Sequence, residues 1–212
     1  MTVDIAVAAV IGAVAGVVVG AGLVVTSRWL ARSEELEAGG GRVARFGPPM
    51  LCAVAFAALA AAYLSDPAGL AIRLVFAAVL VQVIFFDLEH GLILDRVILP
   101  AAAFALAVSL FRHPWWAGIA TGLVIGGAFL LLGLVGSLIA RTEALGLGDV
   151  KLAACIGIFL GPLLALEAVL LAFAAGGIAA ILVAAWHRSL AGRMALGPYL
   201  AVGALIAMYP LR

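Results

Sequence analysis

From Ile5 to Val25 the chain runs for 21 residues without a charged side chain, and from Ala117 to Ile139 for another 23. A helix needs roughly 20 apolar residues to cross the hydrocarbon core of a bilayer. Inside that core every backbone N–H and C=O must be satisfied within the protein, so only helices and closed barrels can span it. Barrel strands alternate apolar and polar residues in segments of about 10; these runs are apolar on every face. With 11% charged residues and a mean hydropathy of +1.31, against roughly 25% charge in a soluble domain, the expected fold is all-α: a polytopic transmembrane helical bundle of about eight helices, forming one domain over residues 1–212. The formal net charge of +1 supplies no basic footprint for nucleic acid, and the lipid bilayer is the first partner implied. Met1-Thr2-Val3-Asp4 lacks the basic start of a signal peptide, so the first run is expected to stay as a helix. Cys52 and Cys155 each stand alone in an apolar run, which reads as core packing.

Helices are expected over about 3–26, 50–64, 70–86, 97–111, 117–139, 149–159, 164–186 and 196–209. Gly12, Gly16 and Gly20, four residues apart, put three small residues on one face of the first helix and permit close approach of another. The longest polar stretch, residues 28–49, reads as a short solvated loop, with room for one short surface helix before Gly39-Gly40-Gly41, and contains no cysteine, hence no zinc motif. Counting joints alternately, nine of the twelve Lys and Arg residues fall on one side and Arg73, Arg112 and Arg212 on the other. The positive-inside rule then places the first set, with the 28–49 loop, in the cytoplasm. On that side lie Asp87, at the end of the third helix, and Asp149, at the start of the sixth.

The other acids there, outside the first loop, are Glu89, Asp95 and Glu143. Two carboxylates that share one proton can hydrolyse a peptide bond, one drawing a proton from water while the other polarises the scissile carbonyl. Asp87 and Asp149 each adjoin an apolar helix, which suits such a pair. The same positions suit helix ends, because Asp readily caps a helix, and both readings stand on residue chemistry alone. Gly146 and Gly148 leave the backbone beside Asp149 bare and free to take positive φ, as an approaching extended substrate would require; helix packing would also explain them. Lys151 lies about 200° around a helix from Asp149 and should not pair with it.

The strings themselves carry a resemblance. Phe86-Asp87-Leu88-Glu89-His90-Gly91-Leu92-Ile93-Leu94-Asp95-Arg96-Val97-Ile98-Leu99-Pro100 resembles the prepilin peptidase segment I-D-L-D-H-x-x-x-P-D-x-x-x-x-P. Gly146-Leu147-Gly148-Asp149-Val150-Lys151 resembles its G-x-G-D-x-K, and Leu196-Gly197-Pro198-Tyr199-Leu200-Ala201-Val202-Gly203 is similar to its F-G-P-[FY]-L-A-x-G. The resemblance implies an aspartic endopeptidase of the GxGD class in the bacterial inner membrane. It would cut the leader from type IV prepilins or pseudopilins at the cytoplasmic face, with no metal or other cofactor. Asp87 and Asp149 would be catalytic, with Gly146, Gly148, Lys151, Glu89, His90 and Asp95 as substrate-binding residues. Many bacterial members carry paired Cys-x-x-Cys motifs in the first cytoplasmic segment and methylate the new amino terminus; the cysteine-free 28–49 segment implies a peptidase without methyltransferase activity. Leu94 stands where the family usually has proline, implying a looser turn before Asp95. A proton- or cation-coupled transporter, using the same carboxylates for ions, and a non-catalytic membrane scaffold are the alternative readings.

Overall fold

The computed structural model describes residues 2–36, 41–141, 145–187 and 196–210. Among these residues there are eight helices and no strand: α1 (Thr2–Ser33), α2 (Arg42–Ala62), α3 (Pro67–His90), α4 (Asp95–Leu110), α5 (Trp116–Ala140), α6 (Leu147–Leu160), α7 (Pro162–His187) and α8 (Gly197–Ala207). The all-α architecture is as expected. Glu37, Gly39, Gly40, Glu143, Arg188 and Arg193 lie outside the described residues.

Five helices, α1, α2, α3, α5 and α7, are long and apolar enough to cross a membrane. Val10, Val18, Leu123, Leu131 and Ile181 on α1, α5 and α7 are exposed, the inverse of a soluble core helix; hydrocarbon is the solvent that suits them. The chain is a multi-pass membrane protein. α4, α6 and α8 are shorter, and α6, at 14 residues, rises only about 21 Å.

The chain divides into two compact units, residues 1–91 with 208–212, and residues 92–207. In the first unit α1 packs along α2 backbone to backbone. A Cβ placed on Gly12 would lie 2.6 Å from the Phe56 carbonyl oxygen, one on Gly16 2.6 Å from the Cys52 carbonyl carbon, and one on Gly20 2.6 Å from the Pro48 carbonyl oxygen. The glycine stripe is therefore a packing face. Phe56, Leu59, Phe76, Leu80 and Val81 fill the core. Buried Gln82 of α3 donates from Nε2 to Ser27 Oγ of α1 at 2.7 Å, which meets part of the hydrogen-bonding demand of an amide held in an apolar interior.

The polar stretch expected over 28–49 is in large part helical. α1 continues through Arg28 and Arg32 to Ser33, and α2 begins at Arg42 and runs through Pro48 and Pro49. Long basic side chains at a helix end can extend toward water while their stems stay on the helix, so charge there does not mark a loop. Pro48 and Pro49 of α2 lie against Gly20 of α1.

In the second unit α6 is packed against α5, where a Cβ on Gly157 would lie 2.8 Å from Gly122 Cα. It also meets α4, where Phe104 and Phe159 stack with centroids 6.2 Å apart. α8 lies along α7, with Gly203 against the Ala168 carbonyl. Ile98, Leu152, Ile156, Phe159 and Leu200 form this core, which fixes α6 from both sides and with it the residues at its start.

Candidate active site

Asp87 lies in the last turn of α3. The sequence suggested a helix ending at Phe86 and a polar connection after it; instead Asp87, Leu88, Glu89 and His90 are all helical. The stop is Gly91, whose φ of 63° is left-handed and whose N–H donates to the Asp87 carbonyl at 2.8 Å. A glycine takes this conformation without the steric cost borne by other residues, so the helix continues until one arrives. Asp87 is 5% exposed while Leu88 is 59% exposed, so Asp87 is on the buried face of α3. His90 stacks on Phe86 one turn back, ring centroids 4.4 Å apart, with Nδ1 3.3 Å from the Phe86 carbonyl oxygen. Glu89 is half-buried and lines a small recess with Val24, Ser27, Arg28, Ala31 and Ala44.

Asp149 is the third residue of α6 and is half-buried. Gly146, the N-cap residue, has φ −72° and ψ 143°, and no side chain caps the helix. The Asp149 carboxylate instead turns back toward the backbone N–H of Gly146, as the third helical residue does in a capping box, and also meets the backbone N–H of Gly197 at the start of α8. Helix N-termini favour negative charge because their first N–H groups have no partner within the helix. The Asp149 carboxylate thus lies beside two helix starts.

The two glycines beside it differ. A Cβ on Gly148 would come 2.9 Å from Ile93 Cβ, so this glycine admits the segment leading into α4; a Cβ on Gly146 would meet nothing closer than Asp149 Oδ2 at 3.6 Å. Neither has positive φ. Of the two readings that the sequence left open, packing accounts for Gly148, whereas Gly146 leaves bare, extended backbone.

Lys151 Nζ and Asp95 Oδ1 form an ion pair at 2.6 Å. Leu94, the N-cap residue of α4, has φ −77° and ψ 133°. That φ falls within the range a proline ring imposes, so the backbone before Asp95 keeps a proline-like shape although the ring is absent.

Against known proteins, the model of the type IV leader peptidase family matches residues 74–181, just over half of the chain. The chain belongs to this family. Searches of curated proteins and of solved structures found no match. As a type IV leader peptidase it is a peptidase, and membership implies prepilin-type substrates met in a membrane. The matched segment opens inside α3 and closes inside α7, so it holds Asp87, Glu89, His90, Asp95, Gly146, Gly148, Asp149 and Lys151. Gly197 lies beyond it. Sequence reasoning set the Gly197-Pro198 string down as a helix start within a family motif and did not connect it with Asp149. The contact is made by a backbone N–H, which no residue type marks.

Proposed function

We propose that this leader peptidase is an aspartic endopeptidase in which Asp87 and Asp149 share one proton and activate one water. The water oxygen attacks the scissile carbonyl carbon and its proton passes to the ionised carboxylate. The protonated carboxyl donates to the carbonyl oxygen. Collapse of the tetrahedral intermediate breaks the C–N bond, and a proton moves to the leaving amine. The observation that carries this reading is that the family-matched segment contains both aspartates, one buried in the last turn of α3 and the other half-buried at the start of α6, beside the backbone N–H groups of Gly146 and Gly197.

The substrate is a type IV prepilin or pseudopilin whose leader is removed at the cytoplasmic face of the bacterial inner membrane. The nine-to-three division of basic residues supports that orientation. Glu89, His90, Gly146, Asp95 and Lys151 serve the substrate in second rank, with the bare backbone at Gly146 giving an extended chain room beside Asp149, while Gly148 admits Ile93. Residues 28–49 contain no cysteine, which supports cleavage without methylation of the product.

The test is co-expression with prepilins of the same organism, scored by gel shift, amino-terminal sequencing and product mass. Asp87→Asn and Asp149→Asn should each abolish cleavage in a protein that still accumulates in the membrane, and the wild-type product should carry no added methyl group. More than about 10% residual cleavage in either variant would contradict the assignment, because removing an acid–base group costs about 10²- to 10⁴-fold. A transporter or scaffold would leave leader processing untouched by both substitutions.

A further inference from the structure

We propose that Asp95 and Lys151 are positioning residues whose ion pair clasps the first turn of α6 to the segment entering α4, and so fixes Asp149. This rests on the reading of Asp149 as catalytic and replaces substrate binding as the principal task of the pair. Three observations lead to it.

α6 has no capping side chain at its N-cap residue Gly146, and the Asp149 carboxylate itself turns back on that residue, so fraying of this turn displaces Asp149 directly. The segment entering α4 touches that start at two points: Ile93 packs on Gly148, and Asp95 Oδ1 accepts from Lys151 Nζ at 2.6 Å. Residues 148 and 151 bracket Asp149 in sequence, so unwinding the turn would break one or both contacts.

Lys151 lies about 200° around the helix from Asp149, so the clasp leaves the carboxylate face clear. The two side chains are 44% and 56% exposed, and exposed pairs add little to global stability. Their effect should be local. Catalysis is sensitive to local position, because displacement of a reacting group by about 1 Å can cost 10²-fold.

The experiment uses the full chain in nanodiscs with a synthetic substrate carrying a basic leader and an apolar helix. Asp95→Asn and Lys151→Met should each lower kcat by about tenfold or more with KM within about twofold, the pattern of a lost transition-state interaction. Hydrogen exchange of the amides over residues 146–152 should quicken by about tenfold at an unchanged melting temperature. The double exchange Asp95→Lys with Lys151→Asp should recover both readouts to within about threefold of wild type, as expected for two residues acting as a coupled pair.

A raised KM at unchanged kcat in the single variants would return the pair to substrate binding and overturn the proposal. So would a double exchange no better than either single. If the wild-type protein fails to cleave, the reading of Asp149 fails by itself, and the exchange measurement alone decides whether the clasp exists.

Discussion

Gly146 and Gly148 stand two residues apart in one motif, yet their surroundings set opposite demands. At Gly148 the neighbour is the branched Cβ of Ile93, 2.9 Å from where a new methyl would sit. Overpacking of this kind costs about 1–3 kcal/mol. Gly148→Ala should therefore lower the thermal unfolding temperature and slow cleavage together. At Gly146 a methyl has ordinary clearance and the backbone is extended. Gly146→Ala should leave the unfolding temperature unchanged and, if substrate passes there, raise KM severalfold. Unfolding scans paired with steady-state kinetics separate the two. The motif showed in the sequence as a unit, whereas this division of labour did not, because it depends on Ile93, a residue more than fifty positions away with nothing unusual in its own context.

At the scale of elements, the glycines of α1 and α5 make the same point about neighbours. Gly16 faces the backbone of α2 at Cys52, while Gly127 of α5 has open space around it. Gly16→Leu should push α1 off α2 and cost about 3 kcal/mol or more in unfolding measurements, since backbone cannot yield as a flexible side chain can. Gly127→Leu should be tolerated, its side chain meeting lipid. The stripe on α1 was legible because spacing by fours is a local pattern, though it did not identify α2 as the partner. Helix ends were less legible. Charge at Arg28 and Arg32, and at Glu89 and His90, suggested that the helix had already stopped, but hydrogen bonding continued to Ser33 and to His90. Gly91 and Gly161, which follow α3 and α6, both have positive φ, a demand that residue type reveals.

For the whole molecule, hydropathy was a sufficient guide to the class of fold, because a bilayer imposes nearly the same length and polarity on every span. It was a poorer guide to α4, α6 and α8, which are shorter than the other five yet carry or flank the residues of interest. The division into two units falls between Gly91 and Leu92, inside a stretch that reads as a single motif. Asp87, Glu89 and His90 fall in the first unit, whereas Ile93 and Asp95 are engaged with α6 in the second.

The donor that α8 offers to Asp149 bears on how far the enzyme can be trimmed. A fragment cut back to residues 74–181 would retain both aspartates and both motif glycines, but not the amide of Gly197. Ending the chain after His187 should accordingly silence leader removal in the processing assay, and supplying residues 188–212 as a separate polypeptide should restore part of it. Sequence recognition and chemical competence would then have different borders, with the minimal working enzyme reaching past the stretch by which it is recognised.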